Sequence, residues 1–339
     1  MSRMQTQPNP TLDDVARRAG VSTATVSRCL NAPAKVSGKT RERVMAAVTA
    51  LGYTPHFGAR AMAARRTHTI GAVIPTMENA VFARGLQAFQ EGLHAAGYTL
   101  LVASSAYDPV VEAEQVRALV ARGADGLLLI GRTRDRALTD FLSARGVPAL
   151  LAWVVEGEGV SVGFDNRAAM RALAEAVLAE GHRRIAMISG LTTGNDRASE
   201  RLAGLREALA AAGLTRAGLP LEEVPYGIET GGAAFARLME ARPRPTAVMC
   251  GNDVLAAGAL AKAAEMGLRV PEDVSITGFD DIELARIVPP GLTTAHVPHR
   301  DMGARAAEVL IALVEGGDAA SVTLACPVVR RGSLGPPRG

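Results

Sequence analysis

Cysteine is scarce in this chain, and the three that occur, Cys29, Cys250 and Cys326, stand far apart. Such separation excludes the paired spacings of a zinc site, and so small a number suits a reducing compartment better than a disulfide-stapled fold. The six histidines (His56, His68, His94, His182, His296 and His299) are equally scattered, and His182, in Gly181-His182-Arg183, reads as a helix end. Aromatic residues make up only 4%, with a single tryptophan, Trp153. Charge or glycine interrupts every apolar stretch well short of a membrane span. Residues 1–10 hold no apolar run that would serve as the core of a secretory signal. Also missing are a Gly-x-Ser-x-Gly elbow, a His-Glu-x-x-His pair, a phosphate loop and a Gly-x-Gly-x-x-Gly turn after a strand. These absences leave no catalytic residue, no metal and no cofactor to nominate, and they point to a cytoplasmic protein that does not engage a membrane.

The 339 residues, 48% of them hydrophobic, suffice for one small domain and one large one. The net charge of +3 conceals an asymmetry. Residues 1–66 carry eleven Lys and Arg against three acids, a balance of +8, and everything after them sums to −5. A basic segment attached to a mildly acidic one suits a polyanionic partner for the first part alone. A solvated basic surface is the alternative that charge leaves open.

Pattern resolves that basic segment into three short helices. Thr11 is placed to cap the first, with Asp13 and Asp14 in its acidic first turn and Leu12, Val15, Ala16 and Ala19 on one face. Gly20 ends it in the tight turn of a helix-turn-helix unit. Ser22 caps a second helix that turns Val26, Cys29 and Leu30 inward. Its other face shows Thr23, Ala24, Ser27, Arg28 and Asn31, small or hydrogen-bonding side chains suited to base edges. Ser37 caps a third helix, striped by Val44, Ala47, Val48 and Leu51 and closed by Gly52. Periodicity alone also allows a helical docking module. Cys29 reads as a small buried apolar side chain.

The run Thr11-Leu-Asp-Asp-Val-Ala-Arg-Arg-Ala-Gly-Val-Ser-Thr-Ala-Thr-Val-Ser-Arg-Cys-Leu-Asn31 resembles the headpiece of the lactose-repressor (LacI) family. The resemblance continues through Val36–Val44 and Leu51–Pro55 and then along the rest of the chain. It implies that Thr23 and Ala24 make variable base contacts and Arg28 a largely fixed one. It also implies that Thr11, Leu12, Ser22, Ser27, Asn31, Ser37, Thr40 and Tyr53 position the DNA backbone or pack against it. Residues 56–64 correspond to the family's hinge helix, bringing His56 and Arg60 to the DNA. In the family this helix folds where two copies meet in the minor groove, and an apolar wedge opens a base step. Met62 holds the wedge position, usually leucine.

From residue 67 the texture changes to short apolar runs alternating with amphipathic stretches. Strands are expected at Ile70–Ile74, Thr99–Ala103, Gly126–Ile130, Pro148–Ala152, Ile185–Ser189, Thr246–Cys250 and Val274–Phe279. Helical segments include Val81–Ala96, Arg167–Glu180, Ser199–Ala212 and Val254–Met266. Such alternation predicts an α/β fold of parallel sheets with helices on both faces. The resemblance implies two lobes like those of periplasmic sugar-binding proteins, with three crossings between them. The expected organisation is a helix-turn-helix headpiece over 1–55, a hinge helix and linker over 56–67, and an effector-binding and dimerisation domain over 68–339. Within the last, one lobe takes about 68–164 and 297–327 and the other about 165–296 and 328–336.

Ligands of parallel sheets bind beyond the carboxyl ends of the strands. That rule selects Thr76 and Phe82 after the first strand, Arg132 after the third, Trp153 after the fourth, and then Asp165, Asn252 and Asp280. The resemblance adds Arg201, at the start of the helix Glu200–Arg206, as the guanidinium that grips ligand oxygens, and gives Asn252 and Asp280 the task of bonding hydroxyls. An arginine, an amide and carboxylates around an aromatic floor suit a sugar or sugar acid. Asp253 and Asp281 read as capping or structural groups, Arg132 is as consistent with a surface position, and Trp153 with burial between lobes. Trp153 departs from the family pattern, which often has a carboxylate there, whereas Val162–Asn166 resembles sugar-acid-responsive members. The tail lacks the leucine heptads by which some members tetramerise, so the expectation is a homodimer on a palindromic operator in double-stranded DNA. A transport binding protein is disfavoured by the basic headpiece, and a sugar-acting enzyme by the lack of an acid–base pair.

Overall fold

A computed structural model describes residues 10–31, 33–54, 66–78, 80–155, 157, 159–214 and 218–338. The chain divides into two compact units, Met1–Thr67 and His68–Gly339. The first contains α1 (Leu12–Ala19), α2 (Thr23–Asn31) and α3 (Gly38–Leu51). Thr11 and Asp14 form a reciprocal capping box at the start of α1, and Gly20 ends the helix in the left-handed conformation. The hydroxyl of Ser22 accepts from the Thr25 N–H at 3.2 Å, and Gly52 closes α3 as Gly20 closes α1. Ser37 stands at the cap position of α3 but donates to the Thr40 hydroxyl at 2.9 Å instead of accepting from a backbone N–H. Val15, Val26 and Val44 are fully buried and pack with Ala16, Ala19, Cys29, Ala47 and Tyr53 into one small core. Leu12, Leu30, Val48 and Leu51 are half-buried at its rim.

The second unit is built on two parallel sheets. The first holds β1 (Thr69–Ile74), β2 (Thr99–Ser104), β3 (Gly126–Ile130), β4 (Ala149–Ala152), β5 (Ser161–Gly163) and, from near the C-terminus, β11 (Val322–Thr323). Their order is β11-β5-β4-β3-β1-β2. The second sheet holds β6 (Ile185–Gly190), β7 (Leu221–Val224), β8 (Ala247–Cys250) and β9 (Ser275–Thr277), in the order β7-β6-β8-β9. A third, two-stranded ribbon pairs β10 (Thr294–Ala295) with β12 (Val328–Val329) antiparallel. The chain therefore leaves the first sheet after Gly163, returns to it at Val322, and leaves again for the ribbon.

Helices cover both faces, so the central strands are apolar on both sides; β1, β3 and β6 are buried at every residue. The first sheet carries α4 (Ala80–Ala95), α5 (Pro109–Ala121), α6 (Arg136–Arg145) and the later α12 (His299–Glu315). The second carries α7 (Asn166–Ala179), α8 (Asp196–Ala211), α9 (Ile228–Glu240) and α10 (Asp253–Glu265), with α11 (Leu284–Ile287) as one further turn. Gly303 lets α12 lie backbone to backbone on α4, since a methyl group there would stand 2.0 Å from the carbonyl oxygen of Gly85. Phe164 and Phe279 face each other at 6.0 Å in a core that joins residues of both sheets.

The expected strands and helices agree with these to within a few residues, with one consequential difference. The helix expected to begin at Ser199 begins at Asp196, capped by the side chain of Asn195. Arg201 thus lies in the second turn of α8 and not at its start.

Candidate DNA-reading and effector sites

In the first unit, α2 turns Val26 and Cys29 into the core and leaves Ala24 and Arg28 exposed and Thr23 and Ser27 half-buried. The face that carries these residues is polar and cationic because every third or fourth position has gone to the core. Thr11 is tied to Asp14 and Ser22 to Thr25, so their hydroxyls fix helix starts, which are where backbone N–H groups collect for a phosphate, and Ser37 is tied to the Thr40 hydroxyl beside the start of α3. Leu12 and Thr40 are half-buried, and Tyr53 is buried in the core. The side chain of Asn31, and His56, Arg60 and Met62 of the expected hinge helix, lie outside the described residues.

In the second unit, the carboxyl ends of strands from both sheets surround a cavity of about 30 Å³. Phe82 on α4, Trp153 after β4 and Tyr107 after β2 come from the first sheet. Asn195 and Arg197 at the start of α8, Arg201 in its second turn, Tyr226 after β7, Asn252 after β8 and Asp280 after β9 come from the second. Trp153 meets Phe82 edge-on at 5.4 Å, and Tyr107 meets Tyr226 at 5.9 Å. Tyr107, Trp153 and Asp280 all hold left-handed backbone, with φ of 61°, 62° and 105°. A non-glycine residue is strained there, and such strain persists only where surrounding contacts enforce it.

Electrostatics shape this cavity. Arg201 is buried, donates from Nη1 to the Asn166 amide oxygen at 2.8 Å and from Nη2 to the Tyr226 hydroxyl at 2.9 Å, and lies 4.9 Å over the Phe279 ring. Arg197 donates to Asp196 at 2.9 Å. Asp196 also accepts from the backbone N–H groups of Arg132 and Thr133, which follow β3 of the opposite sheet. Burial works against the Asp196 charge, but Arg197 and these N–H groups outweigh it and hold the carboxyl below its ordinary range. Asp280 has no such cradle. Burial pushes its carboxyl up to about 7 against the pull of Arg201 and Arg197. Asp253, just behind, is raised well above the usual value by burial and by Asp280; it accepts from the Thr294 hydroxyl at 2.7 Å and the Ile282 N–H at 2.8 Å. Asp281 pairs with Arg331 at 2.6 Å and His296 at 2.8 Å. Both of these carboxylates brace the loops after β9.

Phe82, Trp153, Arg201, Asn252 and Asp280 are thus drawn together. Arg132 and Asp165 are not: with Arg167 and Glu200 they line a separate opening of about 230 Å³. Arg132 is held there by Glu200 at 2.5 Å, and Asp165 is committed to capping α7 through the Ala168 N–H at 2.9 Å. Thr76 accepts from the Glu78 N–H at 3.1 Å in the turn after β1 and is not part of the cavity wall. Sequence reasoning overlooked Tyr107, Asn195, Arg197 and Tyr226. Three of them follow strands that the strand-end rule could have used, and the fourth follows β7, a strand the sequence does not betray. Among the described residues, no group of three or more His, Cys, Asp or Glu side chains is arranged to hold a metal ion.

Residues 11–56 match the family model of bacterial regulatory proteins of the lacI family, and residues 174–334 that of the periplasmic binding protein-like domain. The HTH-type transcriptional regulator GntR of Pseudomonas aeruginosa is 35% identical over 315 residues, 92% of this chain and 91% of that protein. The chain belongs to the LacI family. Among solved LacI-family structures, a transcriptional regulator from Silicibacter pomeroyi superposes with a TM-score of 0.87 at 28% identity, covering 96% of this chain and 99% of that one. The lac repressor dimer bound to operator and the anti-inducer ONPF gives 0.84 at 28% identity, covering 96% and 98%. LacI-family membership accounts for both halves of the chain at once: a DNA-reading helical unit and a two-sheet unit whose strand ends converge on a cavity.

Proposed function

We propose that this protein is a cytoplasmic transcriptional repressor that reads a palindromic operator as a homodimer and adjusts its grip when a small sugar or sugar acid enters the cavity between the two sheets. The observation that carries this reading is the cavity itself. Groups from seven strand ends and helix starts converge on it, two of them arginines, and three strained residues hold its wall. Strain of that kind is retained where a ligand site depends on it. The lac repressor offers the pattern, as a dimer bound to operator and to a small molecule.

On this reading, Arg28 supplies a bidentate base contact, Thr23 and Ala24 set the preferred sequence, and the hydroxyls of Thr11, Ser22, Ser37 and Thr40 steady the phosphate backbone. Residues 56–64, with His56, Arg60 and Met62, form the hinge and minor-groove wedge. Phe82, Trp153, Arg201, Asn252 and Asp280 contact the effector. A cavity of about 30 Å³ has room for a water or two, far less than a sugar needs. Effector entry therefore requires the lobes to part and reclose, and that rearrangement biases the two headpieces.

Selection from a randomised palindromic DNA pool, with and without residues 1–67, tests the reading. The full chain should enrich one consensus with steeply salt-dependent affinity. The Arg28→Ala variant should lose about 1–3 kcal/mol of discrimination. Operator binding by the shortened chain would refute the assignment.

A further inference from the structure

We infer that Arg197 makes the cavity selective for a small hydroxylated carboxylate over a neutral sugar. The inference rests on the reading that the effector occupies this cavity, and it narrows the chemistry to one charge class.

Three observations carry it. First, the unmet groups in the wall are donors. Trp153 Nε1 and Arg201 Nε are buried with no hydrogen-bond partner, and both residues line the cavity. A buried donor without an acceptor is costly, so the fitting ligand brings oxygens that accept.

Second, the two guanidinium groups are unequally compensated. Arg201 has neutral partners only, the Asn166 amide and the Tyr226 hydroxyl. Arg197 has the Asp196 carboxylate, which it shares with the backbone N–H groups of Arg132, Thr133 and Arg197 itself. Burial raises the carboxyl of Asp280, which lines the cavity, to about 7 and so disfavours a compensating negative charge there. Positive charge is therefore in excess among the buried groups of this small cavity. A guanidinium carries five donors, and Arg197 spends one side-chain bond on Asp196, so its fork has donors left for a ligand carboxylate.

Third, Arg197 is built into position. Gly131, left-handed at φ 83°, follows β3 beside it, and a methyl group there would stand 2.0 Å from Arg197 Nη1 and 2.8 Å from Asp196 Oδ1. The bare backbone at this strand end makes room for the ion pair. Asp280 and Asn252, in the same wall, offer groups that suit hydroxyls, and the Phe82–Trp153 pair offers a face for carbon. A partner for spare cationic donors, hydroxyls and C–H faces together describe an aldonate or uronate. A neutral hexose would bury the same donors and leave the excess positive charge unanswered. A site built around such groups rejects the analogue that lacks the partner.

Isothermal titration of the full chain settles this, using six-carbon aldonates and hexuronates, the neutral alditol and hexose matching each, and inorganic phosphate. Acids should bind, with their neutral counterparts at least about tenfold weaker. Arg197→Gln should weaken the acid about 10- to 100-fold and a neutral sugar by much less, and Arg197→Lys should recover part of the loss. Equal binding of acid and neutral partner, tighter binding of phosphate than of any acid, no binding by any acid, or an unaltered Arg197→Gln variant would overturn the inference. If Arg197→Gln fails to fold, the acid-against-neutral comparison on the unaltered protein decides. Failure of the underlying reading looks different. A neutral ligand lost on Arg201→Ala keeps the effector in the cavity while removing charge selection, and acid binding that survives both arginine changes places the ligand elsewhere.

Discussion

Replacing Asp280 by asparagine should stabilise the protein, by an amount that grows as the pH rises from about 4 to about 7. Asp280 is 4% exposed, and burial raises its carboxyl to about 7 from an ordinary 3.8. A carboxyl whose folded-state pKa exceeds its unfolded one binds its proton more tightly in the native state. Its contribution is full below about pH 4 and is lost as the pH rises through 7. The gap of roughly three units, at about 1.4 kcal/mol each, comes to about 4 kcal/mol at pH 8. Asparagine has the same shape and no proton to lose, so the Asp280→Asn variant escapes that cost. Asp253 retains a slope of its own from burial, which is common to both proteins, and the difference between them reports on Asp280 together with the repulsion it exerts on Asp253. Thermal unfolding of both proteins from pH 4.5 to 8 is the assay. The variant's advantage in Tm should grow from pH 4.5 to about 7 and then level off, reaching about 10 °C at roughly 2–4 °C per kcal/mol. An advantage that stays level to within about a degree across that range would show that the Asp280 carboxyl ionises normally and that the cavity is wetter than its walls suggest.

Two further substitutions test the local reasoning. Thr11→Ala removes the hydroxyl that accepts from the Asp14 N–H and should cost the first unit about 1 kcal/mol, read as faster amide exchange along α1 with the second unit unaffected; unchanged exchange would mean the capping box is ornamental. Gly303→Ala places a methyl against the Gly85 carbonyl, which is backbone and cannot swing aside. It should cost about 1–3 kcal/mol in urea unfolding of the second unit and disturb the Trp153 emission, because α4 also carries Phe82; a variant as stable as the parent would show that α4 and α12 separate freely.

Some of this protein is written in short stretches of its chain. Thr11 with Asp14, Gly20, Ser22 and Gly52 mark helix ends through contacts spanning three or four residues, so the headpiece is legible without knowing what it packs against. The central strands are legible for a similar reason: buried on both faces, β1, β3 and β6 read as unbroken apolar runs. Edge strand β7, Leu-Glu-Glu-Val, is half-exposed and carries charge, so it gives no such signal, and strands of two residues such as β10 and β11 are too short for any period.

Tertiary structure decided the membership of the site. The rule that ligands sit beyond strand ends names Phe82, Trp153, Asn252 and Asp280 from sequence, but it names Thr76, Arg132 and Asp165 equally well. What separates them is the partner each side chain meets. Glu200, sixty-eight residues away, holds Arg132 at another opening, and the Ala168 N–H claims Asp165. Tyr107 turns inward on a left-handed backbone, and Arg197 does so because Gly131, just after β3 of the opposite sheet, leaves it space. A helix cap is settled among residues that are neighbours in the chain. The contents of the cavity are settled by which strand ends the order β11-β5-β4-β3-β1-β2 and the order β7-β6-β8-β9 bring face to face, and that depends on crossings between distant segments that no local pattern encodes.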